Sequence, residues 1–382
     1  MDRMAIFDED HESFRATVRR FCEERMAPHH ETWTEEHRVP PEIWREAGAL
    51  GMLCAWLPEA FGGTGTDIRF DIIVCEELGR IGATGAGFPL HSLIVAPYID
   101  EFGADALKTR LLPAMVSGEK IGAIAMTEPG AGSDLAGIKT TAVPHGDGWR
   151  IQGQKTFITN GYNAEIIVVA CITDPTKGAH GISLIVVESD TPGFSRGRNL
   201  RKMGQHAQDT AELFFDDVVV PRENLLGEAG KGFIAMMEQL PQERLLLSIM
   251  CQSRAEAALA ATIAYTAERK AFGQRIIDFQ NSRFKLADMK AQIMAGRAFC
   301  DQLVAARLSN RLSAADAAAG KLWHSEMLGR VVDECVQLHG GYGYMMEYPV
   351  ARAYVDARIE RIYGGTSEIM KEVISRDIVR SC

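Results

Sequence analysis

Apolar and polar positions along this chain follow two periods, which divide it into three segments. In the first third, Phe14, Val18, Phe21 and Cys22 recur at i, i+4, i+7 and i+8, which predicts one helical stripe ending before Pro28. Pro41 suits the first turn of a second helix carrying Ile43, Trp44, Ala47 and Leu50, with Gly51 at its end. Further helical patterns fall near 70–79 and 105–116. Between about Ile121 and Leu226 the period shortens. Ile121–Ala125, Trp149–Gly153, Lys155–Thr159, Ile166–Thr173, Ile182–Val187 and Glu212–Asp216 are β-branched or aromatic runs, several only a few residues apart. Such spacing suits hairpins and predicts a small antiparallel sheet; it counts against a Rossmann fold.

Beyond Gly230 the helical period returns in long runs near 232–268, 280–309 and 313–339, with Leu286, Met289, Ile293, Gly296, Cys300 and Leu303 on one face. Long helices of this kind pack as a bundle. The chain therefore reads as an α+β multidomain protein: an N-terminal helical domain over 1–120, a central antiparallel β domain over 121–229, and a C-terminal long-helix bundle over 230–382.

Composition narrows the chemistry. The 382 residues carry 51 Asp plus Glu against 41 Lys plus Arg, a formal charge of −10, so there is no global source for counterion-release binding and nucleic acid is not an expected partner. The eight cysteines stand far apart with no CxxC, and most have apolar neighbours, which suggests buried free thiols in a reducing compartment. The N-terminus carries acid where a signal peptide carries base, and no apolar run reaches membrane-spanning length; the expected location is the cytoplasm, or the mitochondrial matrix for a processed eukaryotic form. No GxxxxGK[ST], HExxH or GxSxG occurs. The basic stretch Arg196–Lys202 reads as a solvated loop.

Two segments stand out. Met126-Thr-Glu-Pro-Gly-Ala-Gly-Ser-Asp-Leu135 follows an apolar strand and combines small residues with hydroxyls, which lets backbone and side-chain donors approach a flat ligand; Gly153-Gln-Lys-Thr-Phe-Ile-Thr-Asn-Gly161 has the same character. Either alone reads as a turn-rich loop. Together, and with Lys202-Met-Gly-Gln205, Glu268-Arg-Lys-Ala-Phe-Gly273, Gln337-Leu-His-Gly-Gly341 and Tyr363-Gly-Gly-Thr-Ser-Glu-Ile369, they resemble the acyl-CoA dehydrogenase flavoprotein family in order and spacing over essentially the whole chain.

The resemblance implies a homotetramer that binds FAD, oxidises acyl-CoA thioesters to trans-2-enoyl-CoA and passes electrons to an electron-transferring flavoprotein. It places Ile124, Met126 and Thr127 on one side of the flavin, and Phe157, Ile158 and Thr159 on the other. Ser133 falls near the substrate's pantetheine. Arg269, Phe272, Gln280, Gln337 and Gly341 match residues that bind the FAD of a neighbouring subunit, and Thr366 and Glu368 match positions near the adenine of the subunit's own FAD.

The family reaction needs a carboxylate to take the α-proton while a β-hydride goes to flavin N5, with donors ready for the charge on the thioester oxygen. Most members carry this base as the Glu of a Tyr-Glu-Gly-Thr stretch, which here reads Tyr363-Gly364-Gly365-Thr366. Long-chain and isovaleryl-type members place it before the Arg of the segment that reads Leu240-Pro-Gln-Glu-Arg-Leu-Leu246 here, which makes Glu243 the expected base. Apolar neighbours on a long helix would bury it and raise its pKa. Gly364 is expected to offer a backbone N–H to the thioester carbonyl and to leave room for Glu243, with Tyr363 and Gly365 beside it; Arg244 is a candidate cation for the polyanionic substrate. The chain resembles the long-chain branch of the family in this pairing of Glu243 with Gly364. Isovaleryl- and citronellyl-type branched substrates, an oxidase, and a non-dehydrogenating FAD-binding relative are the alternatives.

Overall fold

A computed structural model describes residues 6–381. Helix α1 (Glu9–Phe21) starts on an Asp8 cap that accepts from the amides of Asp10 and His11, and it buries Val18 and Phe21 as its period requires. It is followed by α2 (His30–Glu36), α3 (Pro41–Ala49) and α4 (Arg69–Ile81). A single turn, α5 (Phe88–Leu90), continues through a π-helical turn at His91–Val95 into α6 (Ala96–Phe102), and α7 (Asp105–Val116) closes the region. The stretch 88–99 is mostly apolar on every face and buried almost throughout, so periodicity gives no sign of its helices.

The central sheet contains β1 (Gly122–Ala125), β2 (Thr141–His145), β3 (Gly148–Thr159), β4 (Ile166–Ile172), β5 (Ile182–Glu188), β6 (Phe194–Asn199), β7 (Thr210–Pro221) and β8 (Leu225–Leu226), in the spatial order β6-β7-β3-β2-β4-β5-β8 with β1 also on β4. The expected antiparallel sheet needs correction. The β1–β4 pair is parallel, as is the single β2–β4 contact, while the other pairs are antiparallel. A parallel pair needs a long crossover, and here the β2–β3 hairpin supplies it instead of a helix. Strand β4 divides its side chains between two cores: Ile167, Val169 and Cys171 face the cluster with Trp44 and Phe88, whereas Ile166, Val168 and Ala170 face the cluster with Tyr98, Leu111 and Met236.

The segment 196–202 also departs from expectation. Phe194–Asn199 is an edge strand, and Arg196 donates to the carbonyls of Gly161 and Ala164, since a basic side chain beside two free carbonyls gains more there than in solvent.

The bundle consists of α8 (Gly232–Glu268), a hairpin of β9 (Lys270–Ala271) and β10 (Gln274–Arg275), α9 (Gln280–Leu308), α10 (Ala314–His339), α11 (Pro349–Ala357) and α12 (Ser367–Arg380). Leu286, Met289, Ile293, Gly296, Cys300 and Leu303 are buried along α9. Seven cysteines are free and buried; Cys382 lies outside the described residues.

Candidate active site

The two stretches singled out in sequence meet at the end of β1. The Thr156 amide donates to the Thr127 carbonyl at 2.9 Å, and Lys155 Nζ reaches the Met126 carbonyl at 3.0 Å and Glu128 Oε1 at 2.8 Å. Glu128 also accepts the amides of Lys139 and Thr140. Burial alone would raise the Glu128 carboxyl, but hydrogen bonds from Lys155 and Thr140 outweigh it and hold the group below the usual range. This buried ion pair had no role in the sequence reading. Its signal was available, because both residues sit inside the two stretches.

Strand β3 carries an irregularity between Lys155 and Ile158, where Phe157 takes φ +60° and is 67% exposed. Bulges re-aim side chains in this way. Ile124, Met126, Thr127 and Thr159 are half-buried around the same point, and Ser133 is exposed on the following turn. Ile158 behaves differently from expectation: the bulge turns its side chain into the core, so only its backbone is left to meet a ligand.

Glu243 lies on α8, 7% exposed, and its Oε1 accepts the Tyr98 hydroxyl at 3.0 Å. Burial pushes its carboxyl up to about 7, against smaller opposing effects of Tyr98 and Arg244. Arg244 is also buried, with no partner for its Nε. One turn further along α8, Leu247 meets the loop after α11. A Cβ on Gly364 would sit 2.4 Å from Leu247 Cδ1, so Leu247 borders the space that the missing side chain leaves. Gly364 and Gly365 have φ of +63° and +96°, a conformation that favours glycine.

The same loop is held from both ends. Lys321 Nζ donates to the Gly365 carbonyl at 2.6 Å, and the Tyr363 hydroxyl donates to the fully buried Glu360 at 2.7 Å, which is itself paired with Arg254. Tyr363 therefore has only its ring and backbone left for a substrate. Thr366 caps α12 by accepting the Ile369 amide, and with Glu368, Glu326, Arg358 and Arg361 it lines a cleft of about 170 Å³.

A larger cavity, about 730 Å³, opens at the far end of α8, where Arg269, Gln337 and Gly341 come together with Tyr265, Lys285 and Tyr342. Arg269 stacks over the Tyr342 ring at 5.4 Å. Phe272 stands beyond it, 96% exposed, while Gln280 is exposed at the start of α9 and does not line the cavity.

Three family models cover the chain: the acyl-CoA dehydrogenase N-terminal domain at residues 8–119, the middle domain at 123–218 and the C-terminal domain at 230–379. The chain belongs to the acyl-CoA dehydrogenase family. It is 48% identical to the mitochondrial long-chain specific acyl-CoA dehydrogenase of Sus scrofa over 98% of this chain and 87% of that protein. Identity to the short-chain specific acyl-CoA dehydrogenase of Megasphaera elsdenii is 40%, over 94% of this chain and 95% of that one. The crystal structure of an acyl-CoA dehydrogenase from Geobacillus kaustophilus matches with a TM-score of 0.96 at 48% identity, covering 98% of this chain and 99% of that chain. A glutaryl-CoA dehydrogenase of Mycobacterium smegmatis in complex with FADH2 matches at 30% identity with a TM-score of 0.90, covering 98% of this chain and 95% of that chain. Members of this oxidoreductase family dehydrogenate fatty acyl-CoA thioesters, and its three-domain fold is the α, β, α order found here. No described helix is long and apolar enough to cross a membrane.

Proposed function

We propose that the chain catalyses FAD-dependent α,β-dehydrogenation of long-chain acyl-CoA thioesters to trans-2-enoyl-CoA, with Glu243 as the base. The observation that carries this reading is Glu243 itself: a buried carboxyl brought up to about 7 on α8, where the residue at the usual family position, Gly364, has no carboxylate. A base in that range is largely ionised just above neutral pH yet binds a proton well. The greater identity to the long-chain relative than to the short-chain one supports the substrate class.

The residues present fit FAD. Phe157 offers an exposed aromatic face on a bulge, with Ile124, Met126, Thr127 and Thr159 half-buried around it and the Ile158 backbone beside them. Arg269, Gln337 and Gly341 open a cavity that carries positive charge toward a diphosphate, with Phe272 and Gln280 at its approach; Thr366 and Glu368 flank a separate cleft. When bound, FAD supplies the acceptor for the β-hydride. Glu243 takes the α-proton, and the Gly364 amide, held in place by Lys321 and the Tyr363–Glu360 contact, donates to the thioester oxygen as charge develops there. Arg244 and Ser133 serve the substrate's polar end.

The exposed Phe272 and Tyr344 support a face covered by a neighbouring subunit that completes the FAD site, in the homotetramer that the resemblance to the family implies. An electron-transferring flavoprotein is the acceptor this reading implies, and the buried free cysteines suit the cytoplasm. Anaerobic bleaching of the FAD-loaded protein by a panel of straight and branched acyl-CoAs tests the reading. Long straight chains are expected to bleach fastest; a clear preference for short or branched thioesters would overturn the substrate class.

A further inference from the structure

We propose that Tyr98 is the positioning residue of the base: its hydroxyl, reaching from α6 to Glu243 Oε1 at 3.0 Å, fixes the orientation of that carboxylate and favours its ionised form. This rests on the reading of Glu243 as base.

The placement of Tyr98 is built by the π-helical turn just before it. An extra residue in a turn rotates all that follows by about 100° and releases backbone carbonyls from the helical ladder. At His91–Val95 tertiary partners take up these groups. The Ser92 carbonyl accepts Trp56 Nε1 at 2.9 Å, and the Leu93 carbonyl accepts Gln242 Nε2 at 2.8 Å. His91 accepts the Gly122 amide and bonds the Met115 carbonyl, both at 3.0 Å, so its ring bridges β1 and α7.

Gln242 is the residue before the base, and its own Oε1 accepts from Arg307 of α9 at 2.7 and 3.0 Å. The register between α6 and α8 is thereby fixed one residue away from Glu243. Tyr98 is fully buried within that frame, so its hydroxyl has one direction to point.

The charged groups around the pair act consistently. Tyr98 and Glu101 come from α6, Arg244 follows the base on α8, and Lys321 of α10 acts on Arg244. Burial, and then the charge of Glu243, hold the phenol well above its ordinary range, so Tyr98 keeps its proton and remains a donor wherever Glu243 is ionised. A donor to a carboxylate stabilises the anion.

The test uses the FAD-loaded enzyme and a saturated long-chain acyl-CoA, following anaerobic flavin reduction against pH. Tyr98→Phe should move the acid limb upward by about one pH unit. Replacing Tyr98 with 3-fluorotyrosine, a stronger donor of almost the same shape, should move it downward; a purely structural role predicts no opposed pair of shifts. If both limbs coincide with the parent's, the proposal is wrong. Glu243→Gln separates the two readings: if it still reduces flavin at the parent's rate, the base assignment fails, whereas a dead Glu243→Gln with an unmoved Tyr98→Phe profile overturns only the role of Tyr98.

Discussion

Gly364→Ala probes the junction between the loop and the helix of the base. At φ +63° a Cβ costs about 1–2 kcal/mol through contact with the following carbonyl. That Cβ would also lie 2.4 Å from Leu247 Cδ1, so Leu247 has to turn away in a packed region, at about 1–3 kcal/mol. The expected loss is about 2–5 kcal/mol, and a double-mutant cycle separates its parts. Leu247→Ala opens a cavity in the parent, but in the Gly364→Ala background the new methyl occupies part of that space. The two changes should couple favourably by about 1–3 kcal/mol, leaving the backbone strain behind. Equilibrium urea unfolding followed by helical circular dichroism measures all four forms. Additivity within about 0.5 kcal/mol would refute the packing argument. The same geometry predicts that Gly364→Glu does not simply restore the common family base.

Two further outcomes follow from buried groups. Lys155→Met leaves Glu128 charged and buried and the Met126 carbonyl without its donor; a cost of about 3–5 kcal/mol and a lower ratio of FAD to protein after gel filtration are expected, and full FAD content with unchanged stability would contradict it. Burial lowers His91 to about 4 from 6.5, so below pH 6.5 the unfolded chain binds a proton that the folded one refuses, and stability falls as pH drops toward 4 by up to about 3 kcal/mol. His91→Gln can keep both hydrogen bonds without titrating; it should lose that part of the acid slope in urea midpoints, and an unchanged slope would count against the assignment.

Long helical runs were the most legible part of the fold. The three long bundle helices α8, α9 and α10 start and stop within one residue of their expected bounds because they are rich in helix-forming residues and break at 269–279 and 309–313, although α8 is buried on almost every side over 243–255. The parallel β1–β4 pair was hidden, since strand pairing depends on where the β2–β3 hairpin returns the chain and leaves no local mark. At the site, the resemblance to the family pointed to Glu243 through the missing Glu at 364, but its partner did not show. Tyr98 lies on α6 among Ala96, Pro97 and Ile99 and beside the acidic pair Asp100 and Glu101, and no local pattern marks its meeting with a residue 145 positions away on α8. Lys155 and Glu128 were visible as letters, and their meeting depends on a bulge in β3.

The proposed reaction depends on Glu243 as the base. Its most direct test is stopped-flow anaerobic reduction of the FAD-loaded parent and Glu243→Gln by a saturated long-chain acyl-CoA as pH is raised. The parent should show a rate rising through an apparent pKa near 7, and Glu243→Gln should bind FAD fully yet stay yellow at every pH. Bleaching of Glu243→Gln at a rate near the parent's would contradict it.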